Sequence, residues 1–158
     1  MKKVLIFSTA YFPFVGGAEV AVQRIADHLG NEIIFHMITA KMDKGKVDKE
    51  FPKRKDDGSV TDGSVRNIYH VGFGWGALDK VMLAIWGKRM ALKLNKIYDY
   101  DAVWSIMASQ ASIAASRFKK FTGKKLILTL QEGDEEEHLM RYTLGNKFLY
   151  NKIIKPYH

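Results

Sequence analysis

Five short apolar runs punctuate this sequence, and most are separated by stretches of helical pattern. The runs are VLIF (Val4 to Phe7), IIFHMIT (Ile33 to Thr39), RNIYHV (Arg66 to Val71), DAVWSI (Asp101 to Ile106) and KLILTL (Lys125 to Leu130). Runs of this length suit strands covered on both faces. From Ala18 to Leu29, apolar residues recur at Val22, Ile25, Ala26 and Leu29, which is helical spacing. Glu19 falls in the first turn, where the helix dipole favours an anion, and Gly30-Asn31 ends the helix. The spacing predicts a second helix over Asp79 to Ile97, with Leu83, Trp86, Met90, Leu94 and Ile97 as its core-facing stripe. A small-residue helix is expected from about Ser109 to Phe121, and a last one from about Leu144 to Ile154. Strands alternating with helices predict an α/β fold, a Rossmann-like doubly wound parallel sheet with helices on both faces.

A chain of 158 residues is one domain by size, able to bury roughly 70% of its unfolded surface. Residues 41–64 are crowded with charges of both signs and turn formers, and read as a mobile loop or insertion. The sequence has no cysteine, which excludes disulfides and thiolate metal sites and suits a reducing cytoplasm. The opening MKKVLIFSTAYF resembles a signal peptide only superficially. Its apolar run is short, lacks a small-residue cleavage site and flows into Pro13, so it reads as the first strand.

The net charge of +8, from 25 Lys and Arg against 17 Asp and Glu, favours anionic partners or serves solubility alone. No nucleic-acid motif accompanies it. The helix from Asp79 to Ile97 concentrates Lys80, Lys88, Arg89, Lys93 and Lys96 beside Trp86 and Met90. That composition reads first as a packed helix with a solvated basic face; the alternative is a helix lying on an anionic membrane.

In doubly wound sheets, ligands bind beyond the carboxyl ends of the strands. The stretches that should gather there are Ser8 to Gly17, Thr39 to Lys41, Gly72 to Gly76, Met107 to Gln110 and Gln131 to Asp134. The first of these holds adjacent glycines, Gly16 and Gly17, at the opening of a helix. Bare backbone there can meet a phosphate with free N–H groups, or can simply make a tight turn. Neither GxGxxG nor GxxxxGK[ST] is present, which argues against a classical NAD site and a P-loop. The run GDEEEH (Gly133 to His138) reads as a solvated helix start rather than a metal site. His28, His36, His70, His138 and His158 show no ligand spacing. Ser8 and Ser105 end strands with no histidine placed to activate them.

The stretch YFPFVGGAEVAVQRIADHLG resembles the first turn of GT-B glycosyltransferases of the large retaining family 4. DAVWSIMASQASIAASRF and KKLILTLQEGDE resemble the fourth and fifth strands of that family's N-terminal domain, so the likeness covers most of the chain. It implies one half of a GT-B fold, moving a sugar from a nucleotide-sugar donor to a carbohydrate or lipid-linked acceptor. It further implies that Gly16 and Gly17 contact donor phosphate or acceptor. Phe12, Pro13, Phe14, Ser109, Gln110, Gln131 and Asp134 would line the acceptor cleft. Many relatives carry a histidine where Gln131 stands; Gln131 and Glu132 are the candidates for the catalytic position, and a glutamine cannot act as an imidazole would. No metal and no cofactor beyond the nucleotide-sugar co-substrate is implied. The donor-gripping second domain is missing, so the chain is expected to be a truncated N-terminal domain or to be completed by a partner chain, and inactive alone. The expected location is the cytoplasm, and a lipid-linked acceptor would place the chain at the inner face of the membrane. The alternative is a non-catalytic Rossmann-like subunit that docks on a catalytic partner or membrane.

Overall fold

The computed structural model of the chain describes residues 1–11, 17–42, 49–50 and 65–130. Within them lie strands β1 (Lys2–Phe7), β2 (Ile33–Ala40), β3 (Lys49–Glu50), β4 (Val65–Val71), β5 (Ala102–Ile106) and β6 (Lys125–Thr129). The helices are α1 (Gly17–Leu29), α2 (Ala77–Tyr98) and α3 (Gln110–Thr122). The sheet order is β3-β4-β2-β1-β5-β6. All neighbours are parallel except β3, which pairs antiparallel to β4 through Lys49↔Tyr69 and Glu50↔Ile68. The two-residue edge strand sits inside the stretch expected to be loop. The expected parallel sheet is therefore five strands wide, with one short antiparallel addition.

Strand alternation sends successive side chains to opposite faces and splits the core in two. Leu5, Phe7, Ile38, Tyr69 and Val103 pack beneath α2 and α3 with Leu83 and Phe118. Ile6, Met37, Ile68, Trp104 and Ile106 pack on the other face with Val22 and Ala26 of α1. Each large side chain so buried contributes about 1.5–3 kcal/mol.

The buried stripe of α2 differs from the expected one. Leu83, Ala84, Gly87, Ala91 and Leu94 face inward, whereas Trp86 is 36% and Ile97 71% exposed. The reason is the neighbouring helix. α3 presents Ala111, Ala114 and Ala115, and a Cβ added at Gly87 would stand 3.0 Å from that of Ala114. Small residues on both sides let the backbones close together, and no indole fits that seam.

A polar cluster is buried beside the start of β5. His36 Nδ1 lies 2.7 Å from the Tyr100 hydroxyl, and Asn67 Nδ2 lies 3.0 Å from His36 Nε2. An amide N–H can only donate, so Nε2 accepts and Nδ1 carries the proton toward Tyr100. Burial, reinforced by Tyr69 and Tyr98, pushes the Tyr100 hydroxyl well above its ordinary pKa.

Candidate functional site

Beyond β1, the Ser8 N–H donates to the Ile38 carbonyl (3.1 Å) and its Oγ donates to the Ala10 carbonyl (2.6 Å). These bonds turn the chain out of the sheet, and Tyr11, 4% exposed, pins it against the α1-side core. The helix then opens at Gly17. Gly17 has no left-handed backbone conformation, and a Cβ added there would meet nothing within 4 Å. Neither turn geometry nor packing asks for glycine at this position. What the missing side chain does provide is access to the first-turn N–H groups, which have no acceptor within the helix.

The β5–α3 junction reaches the same sheet edge. Met107 takes a left-handed φ of 63°, uncommon outside glycine, and its N–H donates to the Thr129 carbonyl (2.9 Å). Ser109 caps α3: its Oγ accepts from the Ala111 N–H (3.3 Å), and Ser112 Oγ accepts from the Ser109 N–H (3.1 Å). Thr9 Oγ1 donates to Ser109 Oγ at 2.7 Å, joining the loops after β1 and β5. Among the described residues, Ser109 Oγ accepts from both the Ala111 N–H and Thr9 Oγ1, and a hydroxyl that accepts twice can still donate once.

Both junctions lie where the strand order reverses, with β2 on one side of β1 and β5 on the other. That is the crevice at which open α/β sheets bind ligands. Two helix N-termini converge there from opposite faces of the sheet, each carrying partial positive charge. The arrangement can hold an anion or a cluster of hydroxyls through backbone N–H groups and the hydroxyls of Thr9 and Ser109.

A third loop reaches this edge two strands away, about 10 Å at the usual strand spacing. Gly72, Gly74 and Gly76 all have positive φ, at 125°, 83° and 62°. Asp79, with no solvent exposure, accepts from the Phe73 N–H (2.7 Å) and the Trp75 N–H (2.6 Å). Beside this loop is a groove of 340 Å³ lined by His70, Gly72, Trp86, Arg89, Met90 and Lys93.

Of the residues expected to form the site, the structure brings Gly17, Ser109 and Gln110 to one edge. Phe12, Pro13, Phe14, Gly16, Gln131, Glu132 and Asp134 lie outside the described residues, as do the GDEEEH run, His138 and His158. His36 and His70 are buried and His28 is exposed at the end of α1. Among the described residues, no group of three or more His, Asp or Glu side chains could hold a metal. No described helix is long and apolar enough to cross a membrane. Sequence reasoning missed Thr9 and Asp79. Asp79 carried a local signal, an acid just after the glycine-aromatic run GFGWG, because such turns leave N–H groups to be satisfied.

No family model and no curated sequence matches the chain. Among solved structures, the fold is similar to part of a sucrose-phosphate synthase from Thermosynechococcus elongatus, with a TM-score of 0.66 and 10% sequence identity. The likeness takes in 99% of this chain, which spans 38% of the length of that enzyme. The architecture is thus a Rossmann-like α/β unit of the kind that forms one half of a GT-B fold.

Proposed function

We propose that the chain is the acceptor-side half of a glycosyltransferase, moving a sugar from a nucleotide-sugar donor to a carbohydrate or lipid-linked acceptor. The observation that carries this reading is the likeness of nearly the whole chain to just over a third of an enzyme named as a sucrose-phosphate synthase. The crevice chemistry supports it: open space beside Gly17 at the start of α1, and a hydroxyl pair at Thr9 and Ser109. In this reading, those groups orient an acceptor hydroxyl toward the anomeric carbon. They also help stabilise the charge that develops on the diphosphate leaving group. A second domain holds the donor, and the chain alone does not turn over. Retention of configuration, with Gln131 or Glu132 as the candidate for the catalytic position, is what the resemblance to family 4 implies.

Isothermal titration of the chain with nucleotide sugars, free nucleotides and acceptor sugars tests the reading. Saturable binding of a sugar or nucleotide sugar that competes with a second member of the panel supports it. A chain that binds none of them, even when joined to its donor-binding partner, refutes it.

A further inference from the structure

The outward face of α2 is apolar over its first half and cationic over its second. Leu78, Val81 and Ile85 are each more than half exposed, and Trp86 is exposed beside them. One to three turns further on, Arg89, Lys93 and Lys96 continue the same face and are also exposed. The opposite face of the helix is already buried against the sheet and α3. The first half of α2 is therefore apolar on both sides, which a helix bathed only in water does not need.

The glycine-aromatic loop extends the patch. Phe73 and Trp75 are 52% and 55% exposed, their rings 5.3 Å apart, and Phe73 meets Trp86 edge-on at 5.6 Å. These rings are not displayed by a slack turn. The buried Asp79 carboxyl ties down both of their backbone N–H groups, so the loop is built to hold two aromatics out in solvent. Contiguous exposed apolar surface rimmed by charge marks an interaction site.

We propose that this face docks on an anionic lipid bilayer. Phe73, Trp75, Leu78, Val81 and Ile85 enter the boundary between headgroups and acyl chains, and a headgroup phosphate sits in the groove between Arg89 and Lys93. Charge selects a lipid surface over a neutral partner. The groove that adjoins the aromatics carries two cations on one helix stripe, and the whole chain has a net charge of +8. Dimensions agree: Ile85 and Lys93 are about 12 Å apart along a helix, and interfacial elements bury about 5–10 Å deep. Apolar side chains can thus be immersed while the cations stay at phosphate level. The proposal stands on the exposed face alone and does not depend on the sugar-transfer reading.

Co-sedimentation with phosphatidylcholine vesicles, with and without phosphatidylglycerol, tests it. The chain should partition at least tenfold more strongly onto the anionic vesicles, and less so as salt rises. Phe73→Ala with Trp75→Ala, and separately Arg89→Gln with Lys93→Gln, should each weaken partitioning several-fold while circular dichroism and melting temperature stay unchanged, since all four side chains are exposed. Equal partitioning onto both vesicle types, or binding that neither pair of substitutions alters, overturns the proposal. So does a chain that takes up inorganic phosphate but ignores vesicles. A solution dimer dissolved by the aromatic substitutions would assign the face to a second copy instead, and would equally overturn it.

Discussion

Gly72 and Asp79 occupy one another's space: a Cβ on Gly72 would fall on the Asp79 carboxyl, which is already engaged by the N–H groups of Phe73 and Trp75. The glycine is thus fixed twice, by its φ of 125° and by the acid packed against it. Asp79→Ala should leave two part-buried N–H groups without their acceptor, at about 1–3 kcal/mol each. We expect it to cost about 2–5 kcal/mol in urea unfolding. Asp79→Asn keeps one acceptor oxygen and should cost about half as much. Gly72→Ala should destabilise too, through strain of about 1–3 kcal/mol and displacement of the acid.

Gly87 should resist enlargement for a different reason. Its backbone is ordinary helix, so alanine there gains about 1 kcal/mol of helix propensity. The added methyl group would press on Ala114 at 3.0 Å and Leu83 at 3.2 Å, which offsets much of that gain. We predict Gly87→Ala to be within about 1 kcal/mol of neutral, and Gly87→Leu to lose about 1–3 kcal/mol as α2 is pushed off α3. Thermal unfolding of both variants measures the difference.

Alkaline pH should expose the tyrosine cluster. Burial holds the Tyr100 and Tyr69 hydroxyls in the neutral form, with pKa values raised above the ordinary 10. Above about pH 10 the unfolded chain releases these protons while the folded chain keeps them, so stability falls with each further rise in pH. Below that pH the contribution is fully present. Urea midpoints across this range should decline, and Tyr100→Phe should flatten the decline. At neutral pH the same substitution should cost about 1–3 kcal/mol, because the bond between His36 Nδ1 and the Tyr100 hydroxyl is lost.

Gly17→Val separates fold from ligand. The new side chain enters open space with no forbidden φ, so the melting temperature should change by no more than a few degrees. If the first-turn N–H groups receive phosphate or sugar, binding in the titration panel should fall at least tenfold. Unaltered affinity in a folded variant would remove Gly17 from the site.

Ser109→Ala removes an N-cap, which typically costs about 1 kcal/mol, and releases Thr9 from its bridge between the loops after β1 and β5. Thr9→Ala should leave the cap intact and cost less in chemical unfolding. If the hydroxyl pair contacts ligand, both variants should weaken binding.

The apolar runs and their alternation with helices settle the β–α order of this protein, because a strand needs only a few consecutive apolar residues and a helix only its own 3.6-residue period. Gly17, Ser109 and Gln110 could be placed at one edge on that basis, since parallel strands leave the sheet on the same side. Tertiary structure decided what local pattern does not encode. Whether Trp86 faces core or solvent depended on α3 offering alanines, which favoured the Gly87 seam and turned the indole outward. The Thr9–Ser109 bond joins residues 100 positions apart, and the aromatic tip of the 72–76 loop owes its display to a carboxyl buried beneath it. Periodicity records the demands of a single element, whereas these features arise from what neighbouring elements leave room for.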